Sequence, residues 1–153
     1  MSDDARFEDA REGPLRLKAL DEGDLEVISA LSQDAILPSG EMLWDRRTRR
    51  FALLLNRYRW EDRSPSAERV QSVLAIEYVT RVQSQGIDPN DKDLILSLLN
   101  IAFEPGDDGA GRIVFTLAGD GAIAVDVEAL EVVLRDVTKP YEAPSGHQPE
   151  HKD

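Results

Sequence analysis

Apolar and polar residues alternate along much of this chain, and that period predicts a protein built mainly of strands. Leu15-Arg16-Leu17-Lys18-Ala19-Leu20 is a short strand with Leu15 and Leu17 facing inward. A helix follows at once. Asp21 is placed to cap it, Glu22 and Asp24 suit the positive end of its dipole, and Leu20 and Leu25 sit where a hydrophobic staple would form. Val27, Ile28, Leu31 and Ala35 give it one apolar face, and Pro38-Ser39-Gly40 ends it. Glu41-Met42-Leu43-Trp44-Asp45 predicts a strand, Arg46-Arg47-Thr48 a turn, and Arg49–Trp60 a longer returning strand. Phe51, Leu53 and Leu55 share one face of that strand. The other face, with Ala52, Leu54, Tyr58 and Trp60, is apolar too apart from Asn56, which predicts a central or covered position.

Beyond a loop around Pro65, Val70–Val79 is again apolar on both faces, and Val82–Ile87 continues after a bend or turn near Tyr78–Arg81. Asp93–Phe103 mixes two periods, and a strand from about Leu96 to Phe103, with or without a helical turn before it, is the expected outcome. The glycine-rich stretch 105–111 is a flexible hairpin loop. Arg112–Ala118 and Ala122–Val127 form a hairpin through Gly119-Asp120-Gly121. Leu130, Val133, Leu134 and Val137 have helical spacing, with Glu128 and Glu131 early and Arg135 late, so a closing helix over about 128–137 is expected. Residues 1–13 and 138–153 are polar and aperiodic, a disordered leader and tail around one domain over 14–137. The fold class expected is α+β: a strongly bent antiparallel sheet or small barrel of about seven strands, with one N-terminal helix and one C-terminal capping helix.

Composition narrows the function. The chain has 153 residues, 41% hydrophobic and 31% charged, with no Cys, which excludes disulfides, thiol catalysis and thiolate metal sites. No apolar run is long enough to span a bilayer, so a cytoplasmic location without membrane association is expected. The net charge of −12 is unevenly spread: residues 46–81 hold nine Arg against four acids, a local +5 that leaves −17 elsewhere. The acidic remainder argues against nucleic acid as a partner.

Candidate chemistry is sparse. The two histidines, His147 and His151, lie in the tail, so no Ser-His or Cys-His arrangement can form within the domain. With Glu150 they have local metal-binding spacing, but a solvated tail lacks rigid support. Asp88-Pro89-Asn90-Asp91-Lys92-Asp93 opens like a calcium loop, then puts Lys92 where an oxygen ligand belongs and Asp93 where Gly is needed. Gly106–Gly111 holds Asp107 and Asp108 and is followed by no Lys-Ser or Lys-Thr, so it is not a nucleotide loop. Glu77, inside an apolar strand, is the best candidate for a buried acid, in a structural ion pair with Arg81 or Arg57. No metal or cofactor is implied.

The basic hairpin has the most content. Arg46, Arg47, Arg49 and Arg50 surround its turn, while Arg57, Arg59 and Trp60 lie at the strand's far end, roughly 33 Å away. The turn could meet an acidic partner or a phosphate, and the far end could form a cation–π and ion-pair platform.

The stretches Leu17–Asp21, Asp34-Ala35, Arg49–Leu53, Asn56–Glu61, Gly86–Asp88 and Asn100–Gly106 resemble a family of uncharacterised bacterial proteins of about this length, a domain of unknown function. The resemblance covers nearly all of 14–137. It implies a bacterial, cytosolic single domain and supplies no catalytic residue. The element order from Met42 to Val137, several strands and then a helix, is similar to the pleckstrin-homology-like barrel. Together these readings favour a non-catalytic protein-binding or scaffold module, whose partner is another protein or itself, met through a sheet edge or the arginine hairpin. The alternatives are a small-molecule enzyme using carboxylates, and anion or nucleic-acid binding at the hairpin.

Overall fold

The computed structural model describes residues 14–58, 68–88, 90–137 and 141–142. The leader 1–13, the loop around Pro65, Arg59, Trp60 and both histidines lie outside the described residues. Strands dominate: β1 (Arg16–Ala19), β2 (Ile36–Pro38), β3 (Met42–Asp45), β4 (Arg50–Tyr58), β5 (Glu68–Ile76), β6 (Val79–Gln85), β7 (Ile95–Pro105), β8 (Gly111–Leu117), β9 (Ala122–Val127), β10 (Val132–Asp136) and β11 (Tyr141–Glu142), with one α-helix, α1 (Glu22–Ser32). No helix among the described residues is long and apolar enough to cross a membrane.

The fold is thus α+β and mostly antiparallel, but with eleven strands among the described residues where about seven were expected. The main path runs β1-β10-β5-β4-β2-β7-β8-β9-β6, with β3 beside β4 and β11 beside β5. Laid flat, the nine strands of that path would separate its ends by about 38 Å. Instead Leu17 of β1, Phe115 of β8 and Val125 of β9 belong to one buried cluster. The sheet must therefore curl over its own apolar face. Leu25, Ile28 and Leu31 of α1 fill the same cluster, and the helix lies against β1, β4 and β7.

Local signals of α1 hold at its start. The Asp21 carboxylate accepts a hydrogen bond from the Asp24 backbone N–H at 2.8 Å, satisfying one donor of the open first turn. Leu20 is 52% exposed, so the expected staple does not bury it. The face expected for β4 also holds: Phe51, Leu53 and Leu55 are buried, and Arg57 continues the same inward row. β8 turns Ile113, Phe115 and Leu117 inward, and its hairpin to β9 uses Gly119 and Asp120 at φ 80° and 70°. β7 is a strand from Ile95 onward, with no preceding helical turn, because its first residues pair with β2.

The closing helix is the main correction. Val132–Asp136 is β10, paired on one side with β1 and on the other with β5. Val132, Leu134 and Asp136 point inward at the strand period. The helical spacing of Leu130, Val133, Leu134 and Val137 is coincidental, overridden by two long-range pairings that no local window can see. Without that helix the likeness to a pleckstrin-homology-like barrel fails, and α1 covers the core from the other end of the chain.

The loop after β7 is closed by hydrogen bonds from Gly106 N–H to the Ala110 carbonyl at 2.7 Å and from Ala110 N–H to the Asp107 carbonyl at 3.0 Å. A Cβ on Gly111 would stand 2.5 Å from the Glu104 carbonyl oxygen and 2.5 Å from Phe103 Cζ. Gly109, at φ 84°, has open space around it. Gly111→Ala is expected to cost about 1–3 kcal/mol through overpacking. Gly109→Ala should cost less, about 1 kcal/mol, the low end of the penalty for a left-handed backbone. Urea unfolding of the two variants checks the order.

Candidate functional site

The arginines of the basic hairpin have three different fates. Arg49 and Arg50 are exposed and paired across the sheet, Arg49 with Glu128 at 2.8 Å and Arg50 with Glu77 at 2.7 Å. The Glu77 hydrogen bond, and then its charge, hold the Arg50 guanidinium above the ordinary arginine range. Glu77 is therefore half-buried and served by Arg50, not by Arg81 or Arg57. Arg46 and Arg47 form the exposed turn, whose backbone is fixed by Asp45: its carboxylate accepts from the N–H groups of Arg47 at 3.0 Å and Thr48 at 3.4 Å.

Arg57 has gone inside. Its side chain is 0% exposed and faces the Asp136 carboxylate, 1% exposed, at 3.1 Å. Cross-strand register explains the meeting. Ser72 of β5 stands opposite both Leu55 of β4 and Asp136 of β10, one inward step from Arg57. The Arg57 Nε donates to Ser72 Oγ at 3.1 Å, Ser72 Oγ donates to Asp136 Oδ1 at 2.7 Å, and the Leu15 backbone N–H donates to Asp136 Oδ2 at 2.8 Å. The buried acid of this protein is Asp136, which the expected helix concealed. The cation–π contact of this end is between Arg69 and the Tyr58 ring, at 5.9 Å, rather than on Arg57.

The turn end opens onto a cleft. Among the described residues β3 pairs only with β4 and β6 only with β9, and one backbone bond ties the start of β6 to the residue before β4, from Val79 N–H to the Arg49 carbonyl at 2.9 Å. Beside that bond lies a cavity of about 440 Å³ lined by Trp44, Arg46, Arg49, Val79, Thr80, Arg81 and Val82. Arg81, overlooked as a site residue in the sequence, faces the hairpin arginines across it. Among the described residues no carboxylate is ion-paired with Arg46 or Arg81. Arg49, which lines the cavity, and Tyr78, which precedes Val79 in the chain, have φ 59° and 57°. Such left-handed geometry costs about 1–2 kcal/mol per residue. Tyr78 makes the chain leave β5 for β6, and its carbonyl accepts from the Glu128 N–H at 2.9 Å.

Two further cavities are lined by described residues. One of about 170 Å³ adjoins the arginine cleft and shares Val82 with it. Its apolar lining is Met42, Phe51, Ile87 and Ile123, and Ser39, Gln83, Ser84, Asp88, Asp91 and Lys92 line it too. The other, of about 390 Å³, lies between α1 and β7. There Ser29 Oγ donates to Asn100 Oδ1 at 3.2 Å and accepts from the Ile101 N–H at 2.9 Å, so its central polar groups already serve each other. Asp88 and Asp91 accept backbone N–H bonds from Asn90 and Asp93, the ordinary work of turn aspartates. Among the described residues no cluster of three His, Cys, Asp or Glu could hold a metal.

A family model described as "Protein of unknown function (DUF2948)" matches residues 15–151. The chain belongs to that family. No curated protein and no solved structure matches it. For this DUF2948 member the matched span includes the whole described sheet, the buried Arg57–Asp136 pair and the arginine cleft.

The two acids test differently. Asp136→Ala strands a buried guanidinium and should cost about 3–5 kcal/mol in urea unfolding. Glu77→Gln loosens a pair whose arginine is half-exposed and should cost less than about 1 kcal/mol. Equal losses would show that the buried pair has no special place in the fold.

Proposed function

We propose that this protein is a non-catalytic binding module that receives an acidic segment of a partner protein in the cleft between β3 and β6. The observation that supports this most directly is the convergence of Arg46, Arg49 and Arg81 on one cavity beside Trp44. Three guanidinium groups around an aromatic ring suit carboxylates, which they bind with paired, directional hydrogen bonds. Only Arg49 of the three has an ion-pair partner among the described residues, and that partner, Glu128, is itself half-exposed and displaceable. The strained backbone at Arg49 and Tyr78 fits a site whose shape is held at some cost to stability.

The net charge of −12 does not forbid an acidic partner. At physiological ionic strength charges beyond about 8 Å are largely screened, so the local arginines govern the cleft. The same net charge disfavours a long polyanion, which would run past the cleft onto acidic surface. A Cys-free chain without long apolar segments suits a bacterial cytoplasm, where we place this function.

The test is fluorescence anisotropy with a labelled peptide repeating Glu-Ser-Val-Ser. Binding should weaken at least tenfold in Arg46→Glu/Arg81→Glu and fall as salt rises. Quenching of the intrinsic signal should vanish in Trp44→Phe. Equal binding by the charge-reversed protein, or none by the native protein, would overturn the reading.

A further inference from the structure

The cleft has a second half, and it constrains what the partner looks like. This inference rests on the acidic-segment reading above. Val82 lines both the arginine cavity and the apolar one, so the two are consecutive along the same seam. On β3 the seam runs from Trp44 at the arginine end to Met42 at the apolar end, two residues apart. On β6 it runs from Val79–Val82 to Val82–Ser84, again a step of about two residues. Side chains two apart on a strand share one face and stand about 7 Å from each other.

The walls of the seam are sheet edges. Apart from the Val79–Arg49 bond, no backbone hydrogen bond joins β6 to anything but β9 among the described residues. The outer side of β6 therefore presents free N–H and C=O groups along most of a seven-residue strand. Thr80, Arg81, Gln83, Ser84 and Gln85 are all exposed, so no side chain of the strand's own fold covers that edge. A flexible chain in extended form satisfies such groups by adding a strand. The 170 Å³ cavity, lined by Met42, Phe51, Ile87 and Ile123, is of the size that takes one large apolar side chain: an apolar cavity of about 150 Å³ accommodates benzene.

We infer that the partner segment lies as an added strand on the outer edge of β6. It places an acidic side chain among Arg46, Arg49 and Arg81, and a large apolar side chain two residues away in the Met42–Phe51–Ile87 cavity. The motif is acidic-x-apolar or its reverse, according to strand direction. Charge selects the first position and shape the second, so neither alone gives the full affinity.

Four labelled nine-residue peptides test this on the full-length protein. Two place Glu and Leu two apart, in either order, within a Ser/Thr background. The third places them adjacent, on opposite faces of a strand. The fourth repeats the better binder with its backbone N-methylated at alternate residues. One of the spacing-two peptides should bind at least tenfold tighter than the adjacent one, and N-methylation should abolish the gain. Hydrogen exchange should slow at the backbone amides of residues 80–85 on binding. Ile87→Ala should weaken the spacing-two peptide severalfold and leave the adjacent one unchanged. If all the acidic peptides bind equally through the arginines, without slowed exchange in β6, the strand inference fails while the acidic-partner reading stands. If none binds, both fail. Concentration-dependent dimerisation in light scattering that blocks peptide binding would make the occupant a second copy of the chain and overturn the inference.

Discussion

The buried ion pair between Arg57 and Asp136 is the constraint on which the sheet depends. Either charge alone, out of water, would cost several kcal/mol (about 3–5 by the usual deletion of one partner). The pair is tolerable only because β4, β5 and β10 deliver Arg57, Ser72 and Asp136 to one point, and because Leu15 brings a backbone N–H to the remaining carboxylate oxygen. A one-residue slip of β10 would turn Asp136 outward and leave Arg57 buried without it. The pair therefore selects one register for three strands that are remote in sequence, in a region where Val and Leu alone would accept several. It also closes one end of the inner face with charge, so that the apolar cluster begins at Leu55, Leu74 and Leu134.

What the sequence made legible follows from range. The cap on α1, the inward row of β4, the β3–β4 turn and the β8–β9 hairpin all depend on residues within one or two turns of each other, and the pattern of the chain suffices to find them. β10 depends on β1 and β5, which lie far away in the chain. A window around Leu134 sees only that helix and strand periods both fit. The same blindness hid Asp136, since an acid at the end of a supposed helix looks solvated. It hid Arg81 too, which becomes a neighbour of Arg46 only once Tyr78 has turned the chain from β5 into β6.

The sequence divides the arginines of residues 46–81 into a turn group and a far-end group, and the geometry divides them further. Arg57 is a structural charge, silent at the surface. Arg50 is tied to Glu77 and stays charged at any pH the protein survives. Arg112, on the far strand, is likewise held by Asp126, and its guanidinium is raised by the same hydrogen bond and charge. These three neutralise acids of the same sheet. Among the described residues Arg46 and Arg81 have no ion-pair partner, and they line the cleft with Arg49. Register and competition make the distinction. Arg112 and Arg81 both stand opposite Asp126, from the two strands that flank β9, and the carboxylate is bonded to Arg112 at 2.8 Å. Arg46, on the β3–β4 turn, has no cross-strand residue opposite it.

That last point links the fold to the proposed site. A sheet that curls on itself must either close, pairing its last strands, or leave an edge. Here β3 is four residues long and β6 seven, and among the described residues no backbone bond joins them: β6 is tied only at its start, to Arg49 beside β4, so the seam stays open. Edges left open in soluble proteins are usually blunted by charge, and Arg46 and Arg81 do that against promiscuous pairing. Positive charge blunts an edge selectively, however. It repels basic and disfavours neutral strands, while an acidic one is drawn in. The device that protects the open seam from chance association is thus the same one that would recognise its intended occupant.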